Sequence, residues 1–132
     1  AHPLLSSPVM LRWGEVILNR AEAYAKTGNE QGALDDVNAL RCRAGLPEEA
    51  LYTLDNYREA GYSSVLDVVL DERRLELCFE GQRAFDVFRN GRSLDRRFAG
   101  VQPWEVVDCD DPRILYRIPY DEISVSGIPQ ND

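Results

Sequence analysis

The stretch MLRWGEVILNRAEAYAKTGNEQGALDDVNALRCRAGLP, residues 10–47, sets the architecture. Met10, Gly14, Ile17, Ala21 and Tyr24 recur at steps of three and four, the period of one helical face. Ahead of them, Ser7-Pro8 offers an N-cap followed by proline at the first helical position, where its missing N–H costs nothing. Lys26-Thr27-Gly28-Asn29 stops the pattern, since glycine takes the left-handed conformation that closes a helix. Asn29 then caps a second helix with the apolar stripe Ala33, Val37, Leu40 and Ala44, which Gly45 and Pro47 end. Two amphipathic helices joined by so short a turn lie antiparallel and bury their stripes against each other. Ala21, Tyr24, Gly28, Ala33 and Val37 have the spacing of a tetratricopeptide repeat: small residues at the close crossing, an aromatic in the wider gap. No second copy follows about 34 residues on, and one such repeat leaves an outer face that expects neighbours.

Working outward, residues 48–62 have mixed polarity and read as a connector with a short helical turn. Ser64 with Asp67 three residues on resembles a capping box. From Val65 to about Phe79 the pattern is helical, with Leu66, Val69, Leu70, Leu77 and Cys78 on the apolar side. Gly81 permits a bend, and Arg83 to Phe88 form a short helix ending at Asn90-Gly91. Gly100, Pro103, Pro112, Pro119 and Pro129 then interrupt the chain, which predicts ordered coil with short strands at Val106-Val107 and Ile114–Ile118. The expected fold class is all-α, in a single segment over 1–132. It comprises a helix hairpin at 6–46, helices at 63–91, and coil with short strands at 92–132.

At 132 residues the chain makes one domain at most. It is 44% hydrophobic and 29% charged, values of a folded globular protein. Twenty-three acidic against fifteen basic residues give a net charge of −8. That balance argues against a nucleic-acid binder and against a polybasic membrane patch. Lys26 is the one lysine and the other basic residues are arginines, whose rigid fork suits paired, partly buried carboxylates. No run of 18 apolar residues offers a membrane span. The chain opens Ala1-His2-Pro3-Leu4-Leu5, with neither methionine nor a signal peptide, and is expected to be a processed or excised piece. Cys42, Cys78 and Cys109 are too few and scattered for a disulfide framework; Cys42 and Cys78 are expected as small apolar fillers.

The densest chemistry lies between Glu72 and Asp86. Glu72, Glu76 and Glu80 sit four apart, a like-charge stripe that repels itself unless paired, and Arg73, Arg74 and Arg83 are near enough to neutralise it. Two glutamates could serve as the acid and base of a hydrolase. Alternatively the stripe, with Asp86, is an arginine–carboxylate network that fixes helix packing, and arginines at this density keep carboxylates ionised. Flat aromatic faces on loops could stack a ligand, and Tyr52, Tyr57, Tyr62 and Trp104 are available; Trp104 is the best platform of these, or else it caps the core. Trp13 is expected to pack against the helix pair. Asp108-Cys109-Asp110-Asp111 lacks the spacing and glycine of an EF-hand loop and reads as an acidic turn. Arg92, Arg96 and Arg97 read as a solvated loop. His2, the one histidine, lies at the terminus, so neither a Ser-His-Asp triad nor a histidine zinc site assembles. No Walker or dinucleotide fingerprint occurs, and no cofactor or metal is expected.

Three segments follow one another along the chain: Leu18 to Tyr24 with Gly28, Ala33-Leu34 and Val37 to Leu46; Glu72-Arg73-Arg74-Leu75-Glu76-Leu77 with Phe79-Glu80-Gly81-Gln82-Arg83-Ala84-Phe85-Asp86; and Tyr116-Arg117-Ile118-Pro119-Tyr120-Asp121-Glu122-Ile123 with Gln130-Asn131. In that order they resemble the carboxy-terminal part of the SusD/RagB family, and the second is similar to its ERRxEL-xFEGxRxxD signature. The resemblance implies tetratricopeptide-like helix pairs in a cell-surface nutrient-binding lipoprotein of Bacteroidetes. Such a protein binds an oligosaccharide or other nutrient and hands it to a SusC-like TonB-dependent transporter without catalysis. It implies membrane attachment only through an N-terminal lipid anchor that this sequence does not contain, so the chain is expected to be the carboxy-terminal piece of a longer protein. Two other readings stand beside it: a stand-alone repeat adaptor that grips a peptide, and a glycoside hydrolase using paired glutamates.

Overall fold

Arg12 has extended backbone (φ −129°, ψ 157°) and immediately precedes the first helix, α1, Trp13–Thr27. The structure, a computed structural model, describes residues 10–97 and 106–131. Ser7 and Pro8, expected to start α1, lie outside the described residues, and the helix starts later than that cap implies. Gly28 closes α1 in the left-handed region (φ +86°), and its N–H donates to the Tyr24 carbonyl. The Asn29 side chain accepts from the Gly32 N–H at 3.1 Å and caps α2, Glu30–Arg43. After a 3-10 turn at Glu48–Ala50 the connector leads to Ser64, whose hydroxyl accepts from the Asp67 N–H at 3.2 Å and starts α3, Val65–Glu76.

α1 packs on α2 and on α3, and α2 packs on α3, so three helices close one core within residues 1–83. Leu18 and Ala21 come from α1, Ala33, Leu34, Val37 and Leu40 from α2, Val65, Val68 and Val69 from α3, and Tyr57 and Leu77 from the loops. Several sequence expectations are corrected here. α1 faces two helices, so its buried arc centres on Leu18 and Ala21; Ile17 and Tyr24 pack at the edge and Met10 is exposed. Ala44 is an exposed C-cap residue instead of part of the α2 stripe, and Leu66 is only half-buried. α3 ends at Glu76 instead of continuing to Phe79; Phe79 takes φ +66° in the following turn, which lifts Glu80 off the helix. Cys42 and Cys78 are exposed and fill no core position. Trp13, the first residue of α1, is 72% exposed and does not pack against the helix pair.

The second unit covers residues 84–132. α4, Arg83–Phe88, begins at its edge. Leu94–Asp95 (β1) pairs antiparallel with Val106–Val107 (β2), Leu94 opposite Val107 and Asp95 opposite Val106. A 3-10 turn follows at Pro112–Ile114, where the Asp111 side chain accepts from the Arg113 N–H at 2.8 Å. The strand expected at Ile114–Ile118 does not form: the Gln130 side chain takes both backbone groups of Ile118, the N–H at 2.8 Å and the C=O at 3.0 Å. A further helix, α5, Tyr120–Ser126, replaces expected coil; Pro119 precedes it, Asp121 and Glu122 fill its first turn, and Gly127 (φ +67°) ends it.

Candidate functional site

The arginines that meet the glutamate stripe come from other helices. Arg12, at the start of α1, donates from Nη1 to Glu76 Oε1 (2.5 Å) and from Nε to Glu80 Oε1 (2.8 Å), and its Nη2 reaches the Glu76 carbonyl. Arg43, at the end of α2, donates to the same Glu76 oxygen at 2.6 Å. Arg41 donates from Nη1 to Glu72 Oε2 at 2.8 Å and from Nε to the Ala50 carbonyl at 2.9 Å. The assignment of Arg73, Arg74 and Arg83 as the neutralising partners is therefore corrected. Successive helical positions project about 100° apart, so neighbours in sequence turn to different surfaces. Arg73, buried, donates to Asn19 at 2.7 Å and lies 4.0 Å from Glu22, which Lys26 also meets at 2.8 Å. Arg74 meets Asp71 at 2.6 Å, and Arg83 donates to the Leu70 carbonyl at 3.1 Å. In the second unit Asp86 is buried and accepts from Arg89 at 2.7 Å. Sequence reasoning missed Arg12, Arg41 and Arg43, whose partners lie 64, 31 and 33 residues away.

Electrostatics and geometry agree on what this cluster can do. Burial pushes the Glu76 carboxyl up, but the Arg12 and Arg43 hydrogen bonds outweigh it and hold it below the ordinary carboxylate range. Burial acts likewise on Asp71 and is outweighed by Arg74 and Tyr62. A general acid needs a raised value near neutral pH, and these carboxylates move the other way. Glu76 and Glu80 are bridged by one guanidinium instead of facing each other across an open cleft. The arrangement locks the start of α1 and the end of α2 to the end of α3.

The aromatic candidates are used differently from one another. Tyr57 is 3% exposed and lies in the core, which corrects its assignment as a stacking platform. Tyr52 and Tyr62 are half-buried against the core and meet edge to face, with centroids 5.5 Å apart. Arg41 covers one face of Tyr52, 4.3 Å from its centroid. The Tyr62 hydroxyl donates to Asp71 at 2.8 Å; burial, then its hydrogen bonds to Tyr52 and Asp71, push it up. These rings clamp the connector, with Asn38 bonded to both backbone groups of Tyr52. Trp104 lies outside the described residues. Among the described residues the large exposed aromatics are instead Trp13, Phe79, Phe85, Tyr116 and Tyr120.

Among the described residues no group of three or more His, Cys, Asp and Glu side chains is arranged to hold a metal ion. In the acidic turn Asp108 accepts from Ser93 at 2.5 Å and Asp111 meets Arg113 at 2.5 Å. Of the basic run, Arg97 pairs with Asp95 at 2.6 Å. No helix among the described residues is long and apolar enough to cross a membrane.

Comparison with known proteins places this architecture. The SusD family model matches residues 5–128. SusD-like protein P38 of Formosa agariphila is 31% identical over 124 residues, covering 85% of this chain and 24% of the relative. The chain thus spans about a quarter of that relative's length. A SusD superfamily protein from Bacteroides vulgatus, solved by crystallography, matches 98% of this chain and 30% of its own at a TM-score of 0.74 and 32% identity. A second Bacteroides vulgatus structure, described as a candidate sugar binding protein, matches 92% of this chain and 28% of its own at 0.74 and 30%.

Proposed function

The chain belongs to the SusD family, and from that membership we propose that it is part of a cell-surface protein that captures glycans. In this reading the protein sits at the outer membrane through a lipid anchor and passes its ligand to a SusC-like TonB-dependent transporter. The observation that carries it is the near-complete structural match to a SusD superfamily protein, at 98% coverage and a TM-score of 0.74. A neighbouring match described as a candidate sugar binding protein supports the choice of ligand class. No covalent step is assigned, and the arginine-bound state of Glu72 and Glu76 supports that choice over paired-glutamate hydrolysis. The three-helix core is the scaffold, and the charged side chains at its ends hold the helices in register.

The test has two arms, both run on the full-length protein that contains this chain. A glycan array probed with it should give saturable binding to at least one polysaccharide, with no reducing ends released on prolonged incubation. Immobilised, it should retain a TonB-dependent transporter from detergent-solubilised Bacteroidetes outer membranes. Release of reducing sugar that is lost in Glu76→Gln would overturn the non-catalytic reading. A blank array would overturn glycan capture.

A further inference from the structure

We infer that the buried Glu22–Arg73 pair is a register lock: it selects one sliding position of α3 along α1, and it serves that end instead of stability. Arg12 meets Glu76 and Glu80 while Arg73 meets Asn19 and Glu22, so the two helices run antiparallel. Val65, Val69 and Arg73 on α3, with Leu77 just past its end, stand four apart and are all buried. A guanidinium thus occupies one step of an apolar stripe. On α1, buried Glu22 likewise follows Leu18 and Ala21 and precedes Ala25, which packs against the core. Arg73 Nη1 donates to Asn19 Oδ1 at 2.7 Å, and its Nε lies 4.0 Å from Glu22 Oε2. Lys26 meets the other Glu22 oxygen at 2.8 Å. The Arg73 and Glu22 side chains are 3% and 5% exposed, so both charges lie inside the helix packing.

Burying such a pair is no gain by itself. Desolvating two charges costs about as much as their attraction returns, and apolar residues of similar volume often do as well or better. What the pair adds is position. Apolar contact is non-directional, and the α3 stripe repeats every turn, about 5.4 Å. A slip of one turn therefore sets apolar side chains against apolar side chains again. The clamp at the rim repeats too: Glu72, Glu76 and Glu80 stand four residues apart, so a slipped Arg12 still finds a carboxylate. The match of Arg73 to Glu22 does not repeat. Slipped one turn toward the C-terminus of α1, Arg73 comes level with Lys26, a like charge. Slipped the other way, Arg73 comes level with Leu18 and Glu22 with Val69, each charge against an apolar residue of the facing helix.

The experiment uses the full-length protein that contains this chain, with its cysteines replaced by Ser. Spin labels go on Thr27→Cys and Leu75→Cys, exposed positions toward opposite ends of the α1–α3 pair. Pulsed electron–electron resonance should give one label separation when Glu22 and Arg73 are intact. Glu22→Leu combined with Arg73→Met should melt no lower, yet show a second separation shifted by up to about 5 Å, one helical turn. Either substitution alone strands a buried charge and should melt several degrees below the double variant. Arg73→Lys keeps the charge and should keep the single separation. A double variant with one unchanged separation overturns the lock, because apolar packing then chooses the register alone. A double variant that melts well below the intact protein makes the pair a source of stability and sinks the inference as well. A second separation in Arg73→Lys would show that charge is not what selects the register. No arm involves a ligand, so these outcomes are independent of glycan capture.

Discussion

Glu76 shows what one carboxylate does when two helices send it guanidinium groups. Arg12 and Arg43 both donate to its Oε1, and the shared anion ties α1 and α2 to the last residue of α3. Its pKa in the fold lies below the ordinary 4.5, so as pH falls the unfolded chain takes up the proton first. The carboxylate's contribution is therefore complete above about pH 5 and is lost as pH drops through the folded value. Replacing Glu76 by Gln removes charge-assisted bonds worth about 2 kcal/mol. The urea midpoint of Glu76→Gln should fall below wild type at pH 7, and the gap should narrow toward pH 3. A gap of constant size at both pH values would mean that the clamp does not depend on the ionised carboxylate. Glu80 shares Arg12 but is more than a third exposed, and its pair should contribute much less.

At the scale of elements, the N-terminal turn of α1 must come close to the end of α3, and Gly14 is what allows it. A Cβ built on Gly14 would lie 2.5 Å from Glu76 Oε1 and 2.8 Å from Arg12 Nη1. Helix propensity alone favours alanine there by about 1 kcal/mol, yet the added methyl would push the carboxylate off both arginines. Both contacting atoms are the free ends of side chains that can shift, so the loosened bonds and the better propensity nearly cancel, and Gly14→Ala should change stability by no more than about 1 kcal/mol in urea denaturation; a loss of several kcal/mol would show that the clamp cannot move. This close approach also explains what the sequence could and could not disclose. Caps and stops are local, and Gly28, Asn29 and Ser64 do in the structure what their types predict. The phase of α1 was not legible from period alone, because a helix packed on two neighbours buries an arc centred between two plausible stripes. The arginine partners were not legible because each pair closes a loop of 31 residues or more. The end of α3 at Glu76 depends on Phe79 adopting a positive φ, which its residue type disfavours. α5 did carry a signal, a proline followed by Asp121 and Glu122, but at seven residues its apolar period is too short to read.

For the whole molecule, the distribution of buried apolar side chains determines which part can fold by itself. The core cluster from Leu18 to Leu77 lies entirely within residues 1–83, and so do the Arg12, Arg41 and Arg43 ion pairs. Among described residues 84–131, Val87 is the buried apolar side chain, beside buried Asp86. That second unit is held by a two-residue strand pair, short helices and side-chain bonds such as those of Gln130. Hydrophobic burial at about 25 cal/mol per Å² is the main term opposing chain entropy. Among its described residues the second unit sets one buried valine against the ordering of the chain, whereas the helix triad sets eleven core residues against it. A fragment of residues 1–83 should therefore melt cooperatively by circular dichroism and protect α1, α2 and α3 amides from hydrogen exchange. A fragment of residues 84–132 should show neither transition nor protection. A disordered 1–83 fragment would show that the helix triad depends on chain beyond Arg83, and that the ion-pair clamps are too weak to hold it without that support.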